Sequence, residues 1–269
     1  MPTMKIGLVG CGNIASDICI AIRDKALPAT VVALTDTDVA KAEALRQEFK
    51  LDAVIGALDE TAAAVDFLAE CAIASVVPEV LRMAVAHRAD CLVMSVGGLL
   101  GQDDLLEEAR RNHVHVRIPT GAICGLDGIR SAMQVGLDSV VLTTRKPPRG
   151  LAGAPYLRER NIVLEGLKEP LVVFEGAAAD AVKAFPANVN VAAALSLAGI
   201  GPDKTRVRIV ADPAATTNTH EIHATGPFGE LTTVTRNRPS PRNPKSSYMA
   251  SLSASAEVAA AAALFAARQ

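Results

Sequence analysis

The run from Met4 to Lys25 constrains this chain more than any other feature. An apolar stretch, Met4–Val9, leads into Gly10-Cys11-Gly12-Asn13-Ile14-Ala15, and Ile14, Ile18, Ala21 and Ile22 then fall on one helical face. That is strand, tight loop, helix, and the loop fits GxGxxG/A with alanine in the third place. Gly10 permits the turn, Gly12 lets a backbone approach a pyrophosphate, and Ala15 is small enough for close helix–strand packing. Asn13 and Ile14 open the helix, where free amides favour phosphate charge. This context predicts a parallel α/β domain that holds a dinucleotide. Asp36 follows the second apolar run, 31–35, and stands 24 residues beyond Gly12. A carboxylate there accepts hydrogen bonds from a ribose diol and repels a 2′-phosphate. The expected cofactor is therefore NAD, with NADP possible through Lys41 or a shifted loop.

The alternation continues through the first 120 residues. Apolar runs at 53–55, 65–69, 91–94 and 114–118 are interleaved with helical patterns. One helix opens at Asp38, which can cap it; others are expected near 78–86 and 103–112. After Pro119 the rhythm changes. Strands are expected at 139–144, 171–174, 206–210 and 217–224, with 231–236 as a hairpin partner after Gly-Pro-Phe-Gly. Helices are expected near 126–135 and 189–197, and residues 237–245 read as a connector. The stretch 248–267 reads as one helix whose apolar face needs a partner, expected in the first domain. The fold class is α/β: a Rossmann-type parallel-sheet domain plus a smaller α+β catalytic domain with an open sheet. The expected domains are 1–119 completed by 245–269, and 120–244, the latter also serving oligomerisation.

Half the residues are hydrophobic and 21% are charged, which excludes disorder. The formal net charge is −2, Trp is absent and aromatics are 3%, so neither a basic field nor stacking platforms for nucleic acid are expected. No uninterrupted apolar window of about 18 residues and no signal-peptide layout is seen, so no membrane is expected. Cys11, Cys19, Cys71, Cys91 and Cys124 are odd in number and form no CxxC pair. They are expected as buried small hydrophobes in a reducing cytoplasm, with no metal site.

Two glycine-containing loops follow strand ends: Ser95-Val96-Gly97-Gly98, and 119–128 with Thr120, Gly121, Ala122 and Ile123. They offer small residues and free amides where ligands sit in open parallel sheets. His220 lies in Asn218-Thr219-His220-Glu221-Ile222-His223. On a strand it shares a face with Asn218 and Ile222, which suits either a core histidine or a general acid/base. His113 and His115 are expected to face outward, and His87 to end a helix. Asn188 suits a helix N-cap, and Asn190 could turn an amide toward a nicotinamide or substrate. Arg145-Lys146 and the cations of 236–245 could meet substrate carboxylates, although most are expected to be solvated surface charges.

In combination these segments resemble the L-aspartate dehydrogenase family over most of the chain. The glycine loop and Met94-Ser95-Val96-Gly97-Gly98-Leu99 are shared with homoserine dehydrogenase-like enzymes generally. Thr143-Thr144-Arg145-Lys146-Pro147-Pro148, Asn188-Val189-Asn190-Val191-Ala192 and Asn218-Thr219-His220-Glu221-Ile222 are more specific. Thr120-Gly121-Ala122-Ile123-Cys124-Gly125-Leu126-Asp127 and Asn243-Pro244-Lys245-Ser246-Ser247 complete the set. The resemblance implies NAD(P)-dependent, reversible oxidative deamination of L-aspartate through iminoaspartate to oxaloacetate and ammonia. It implies that His220 is catalytic and that Ala122 and Asn190 contact the cofactor, beside Gly10, Gly12, Asn13, Ile14 and Asp36. Thr120, Gly121 and Ile123, through loop amides, and the cation Lys245 are expected to hold the substrate carboxylates. A cytoplasmic homodimer or higher homo-oligomer is expected, with a product that can feed NAD biosynthesis. Thr120 stands where serine is usual, and Cys124 where glycine is usual. Two other readings stay open: a related dehydrogenase or imine reductase acting on another small amino or oxo acid, and a non-catalytic NAD-responsive binding protein.

Overall fold

A computed structural model describes residues 3–185, 190–243 and 246–268. The chain divides into two compact units, residues 1–119 with 251–269, and residues 120–250.

The first unit runs β1 (Met4–Val9), α1 (Asn13–Asp24), β2 (Ala29–Thr35), α2 (Val39–Phe49), β3 (Val54–Ile55), α3 (Leu58–Ala63), β4 (Phe67–Glu70), α4 (Val77–His87), β5 (Asp90–Val93), α5 (Asp103–Arg111) and β6 (Val116–Arg117). Its six strands are parallel in the order β3-β2-β1-β4-β5-β6. The order reverses between β1 and β4, which opens a crevice at their carboxyl ends. The inner strands are continuously apolar because both sheet faces are covered: Ile6, Leu8, Leu34, Phe67, Leu68 and Leu92 are fully buried. Asp38 caps α2 by accepting the Ala40 N–H at 3.2 Å. Pro78 sits in the first turn of α4, where a missing N–H costs little.

The second unit runs α6 (Leu126–Ala132), β7 (Ser139–Lys146), α7 (Pro155–Glu159), β8 (Leu171–Ala177), α8 (Ala178–Ala184), α9 (Asn190–Ala198), β9 (Arg206–Ala211), β10 (Asn218–Gly226) and β11 (Gly229–Asn237). Its mixed five-stranded sheet has the order β11-β10-β7-β9-β8, with β7 and β9 parallel and the other pairs antiparallel. Gly226 faces Gly229 across the Pro227-Phe228 turn, the expected hairpin. Alternation separates two faces. Val140, Leu142, Ile209, Ile222 and Ala224 point to a covered face, while Glu221, Val234 and Arg236 point to an exposed one.

The last element, α10 (Tyr248–Ala267), is long and apolar enough on average to cross a membrane, although Ser251, Ser253, Ser255 and Glu257 interrupt its apolar run. From Ser251 onward it belongs to the first unit. Ala254, Val258, Ala261 and Ala262 are buried there in one core with Met4, Ile18, Phe67 and Leu92. Its alanines and serines permit close approach: Ser255 Oγ donates to the Asp17 carbonyl on α1, and Arg117 pairs with Glu257 at 3.0 Å. Three short helices, α3, α7 and α8, were not anticipated from the sequence pattern. The cysteines depart in part from expectation: Cys11, Cys19 and Cys91 are buried and Cys71 is half-buried, but Cys124 is exposed.

Candidate active site

In the first unit, β1 delivers the chain to Gly10 with φ +89°, and a Cβ there would lie 2.8 Å from the backbone of Ala72. Glycine is therefore required by the fold at that point. Gly12 differs. Its φ is −93°, it N-caps α1, and a Cβ there would meet nothing within 4 Å. Nothing in the chain itself demands glycine at Gly12, so the open space beside it is what a bound pyrophosphate would use. Asn13 and Ile14 begin α1, with Ile14 packed on the core, and Ala15 is fully buried between helix and sheet. Asp36 Oδ2 accepts the Cys11 N–H at 2.7 Å, and Oδ1 accepts the Asp38 N–H at 2.8 Å. The carboxylate thus ties the end of β2 to the glycine loop and stays half-exposed beside it. Burial, then the Asp36 charge, push the Cys11 thiol up to about 12, so it stays protonated. This loop, helix terminus and carboxylate fit a nicotinamide dinucleotide.

Beside the crevice the structure shows a residue that the sequence pattern did not single out. Glu70, at the end of β4, is fully buried. Its Oε2 accepts the Ser95 N–H at 2.8 Å, and its Oε1 accepts the Ser95 hydroxyl and the Ala72 N–H, each at 2.8 Å. It therefore fastens the loop after β4 to the loop after β5. Burial raises its pKa, and these donors offset only part of the rise. The legible signal is a carboxylate closing the apolar run Phe67–Glu70, a poor place for charge unless amides await it.

In the second unit the covered sheet face holds a polar group. His220 on β10 is 3% exposed and registers opposite Thr144 of β7. Its Nδ1 lies 3.0 Å from the Thr144 hydroxyl, and Nε2 has no hydrogen-bond partner among the described residues. Burial, then the charge of Lys146, lower its pKa to about 3, so the ring is neutral near pH 7. Lys146, two residues beyond Thr144, is 7% exposed, and burial lowers it to about 8. This corrects the expectation that the Arg145-Lys146 pair is mainly solvated. Arg145 does turn to the other face, where it pairs with Asp212 at 2.9 Å.

The loop 120–125 is pinned to the adjacent strand. Thr235 Oγ1 and Asn237 Nδ2 donate to the Ala122 carbonyl at 2.8 and 2.9 Å, and Thr233 Oγ1 donates to that of Cys124 at 3.2 Å. Ala122 and Ile123 are buried, and the Ile123 N–H closes a turn on the Thr120 carbonyl. That amide closes the turn of the loop in which its substrate contact is expected. Thr120 and Gly121 are half-buried, with Gly121 at φ +63°. Asn190 is the first residue of α9 and exposed. Lys245 and Asn188 lie outside the described residues. The other histidines are peripheral: His223 pairs with Glu230, His87 with Asp59, and His113 and His115 are exposed.

Comparison with known proteins is decisive at this point. The family profile described as aspartate dehydrogenase, C-terminal, matches residues 127–261. The profile described as homoserine dehydrogenase, NAD binding domain, matches residues 10–119. The L-aspartate dehydrogenase of Methanosarcina mazei is 44% identical over 255 residues, covering 93% of this chain and 94% of its own.

The chain belongs to the L-aspartate dehydrogenase family.

The L-aspartate dehydrogenase of Bradyrhizobium diazoefficiens is 39% identical over 250 residues, 93% of this chain and 89% of its own. The fold is also that of the crystal structure of aspartate dehydrogenase from Thermotoga maritima, with a TM-score of 0.70 at 23% identity over 95% of this chain and 93% of that one. Within the family frame, both constellations fall in matched segments: the glycine cradle and Glu70 in the NAD-binding match, and Thr144, Lys146 and His220 in the aspartate dehydrogenase match.

Proposed function

We propose that this chain is an NAD(P)-dependent L-aspartate dehydrogenase, an oxidoreductase acting on the CH–NH2 group. The observation that carries the reading is His220: buried, neutral, fixed through Nδ1 by Thr144, and with Nε2 open to a reacting group. In the first unit, Gly10, Gly12, Asn13 and Ile14 would hold the dinucleotide phosphates, and Asp36 the adenosine ribose, which favours NAD over NADP. The nicotinamide supplies a hydride acceptor for the substrate Cα–H.

For that hydride to leave, the substrate ammonium must first lose a proton. A neutral imidazole at Nε2 takes it, and the Thr144 hydroxyl keeps the ring oriented. The imine then adds water, and the same Nε2 relays protons as ammonia departs, leaving oxaloacetate. In the reverse direction His220 returns the proton to the amine. Thr120 and Gly121, with Ala122 and Asn190 beside them, would border the reacting groups, and Lys245 would add a cation. We further infer a cytoplasmic enzyme, with α10 as a core helix. We also infer a homodimer or higher homo-oligomer formed through the exposed face of the mixed sheet, and a product that can feed NAD biosynthesis.

The deciding experiment is NADH oxidation by the full chain with oxaloacetate plus ammonium, set against a panel of other 2-oxo acids. Activity confined to oxaloacetate is expected. Equal activity across the panel would replace aspartate with a broader substrate class, and NADH binding without turnover would make the protein a sensor.

A further inference from the structure

We propose that Lys146, on the same buried sheet face as Thr144 and His220, is the group that receives a carboxylate of the substrate in the second unit. The inference rests on the dehydrogenase reading above and deepens it. The placement starts from β7, which alternates strictly between half-exposed and buried from Ser139 to Lys146. Val140 and Leu142 supply apolar surface to the covered face, and Thr144 and Lys146 continue that face as polar groups. Thr144 reaches His220 Nδ1, so Lys146 stands on the same face, one pleat further along the same strand. Two adjacent cations thus have opposite fates: Arg145 pairs with Asp212 on the other face, and Lys146 is carried into the site. A four-carbon stem can cross apolar surroundings and present three donors at its end, which suits a carboxylate.

Burial first, and the Lys146 charge second, hold the His220 ring neutral. A bound carboxylate would offset the Lys146 charge and leave the burial in place. Other titratable groups on the neighbouring strands do not interfere. Alternation sends Glu221 and His223 of β10, Glu230 and Arg236 of β11, and Arg206 and Arg208 of β9 to the opposite face. Cys124 of the covering loop and Asp127 and Arg130 of α6 are exposed, and α9 carries no titratable residue. The site then selects for an anion through Lys146.

The test is calorimetric binding of succinate, an unreactive dicarboxylate, to the NADH-loaded full chain, with Lys146→Met and Lys146→Arg beside the wild type. A thermal melt verifies that each variant keeps the fold. A charge-assisted hydrogen bond predicts a loss of about 10- to 100-fold in Lys146→Met, with part of it restored by arginine. Lysine binds the anion only when protonated, so wild-type affinity falls as pH rises through about 8, and the Met variant shows no such fall. Succinate affinity within twofold of wild type in Lys146→Met, or no succinate binding by the wild type, overturns the proposal. The functional reading fails separately: a wild type that binds succinate through Lys146 yet leaves NADH untouched with oxaloacetate and ammonium is not a dehydrogenase of this kind.

Discussion

The two units bury ionisable side chains in contrasting ways. Glu70 of the first unit is surrounded by donors already paid out by the fold: two backbone amides and one hydroxyl within 2.8 Å. Its carboxylate fastens two loops together and leaves little unsatisfied. His220 and Lys146 of the second unit are nearly as deeply covered, and burial is the first cause of the pKa shift in all three. The surroundings differ. Glu70 is ringed by donors that fix two loops, whereas His220 and Lys146 cluster on one sheet face with Thr144, where chemistry is expected.

The largest effect that would break this contrast is at His220. His220→Ala is expected to lower kcat by about 10²- to 10⁴-fold, the usual contribution of a positioned acid/base, while NADH affinity stays within about twofold. The assay is NADH oxidation with oxaloacetate and ammonium, with NADH binding followed by fluorescence. Near-normal turnover would move His220 to the same side of the comparison as Glu70. Next in size is Glu70→Ala, which strands the buried amide and hydroxyl of Ser95 and releases the Ala72 amide. A loss of about 3 kcal/mol or more in urea unfolding is expected, since each orphaned buried donor costs about 1–3 kcal/mol. The same variant also weakens NADH binding, because both loops lie at the crevice. A loss of turnover at undiminished stability would mean that Glu70 takes part in the reaction.

The pH dependence of stability separates the units in another way. His220 titrates at about 3 in the folded chain and near 6.5 when unfolded. Above pH 6.5 it is neutral in both states and costs nothing. As pH falls below 6.5 the unfolded state takes up a proton that the folded state refuses, so stability is lost progressively down to about pH 3. From pH 7 to pH 5 this single group predicts a loss of about 2 kcal/mol. His220→Gln, which cannot titrate, should flatten that part of the profile. An unchanged slope in the variant would show that the ring is hydrated and not truly buried.

What could be read from the sequence divides along similar lines. The strand–loop–helix start and α10, found at the expected 248–267, were legible because each rests on local pattern over a dozen or more residues. The helices α3, α7 and α8 were not, since five to seven residues give too few turns for a period to show. Thr144 and His220 could be placed on strands, but their contact spans 76 positions and only the sheet register reveals it. Lys146 was hidden by its neighbours: Arg145-Lys146-Pro147-Pro148 reads as the basic end of a strand. Its parity with Val140, Leu142 and Thr144 was the available signal, and it outweighs charge once the strand is known. Glu70 was missed because a carboxylate ending an apolar run looks like a strand terminus until the amides that receive it are placed.

The smallest effect is also the sharpest division between fold and ligand, and it lies within one loop. Gly10→Ala would force a Cβ to 2.8 Å from the Ala72 backbone at φ +89°, so a loss of about 1–3 kcal/mol in stability is expected, with weaker NADH binding as a consequence. Gly12→Ala meets no protein atom within 4 Å and sits at an ordinary φ, so stability should stay within about 0.5 kcal/mol of wild type. Its methyl group would instead occupy the space assigned to the pyrophosphate, and NADH affinity should fall by about tenfold or more, by the closeness of approach that the loop requires. Two methyl groups, two residues apart, would then separate what the chain needs in order to fold from what it needs in order to bind. If Gly12→Ala binds NADH as well as wild type, the phosphates lie elsewhere along the crevice and the open space beside Gly12 has no part in holding them.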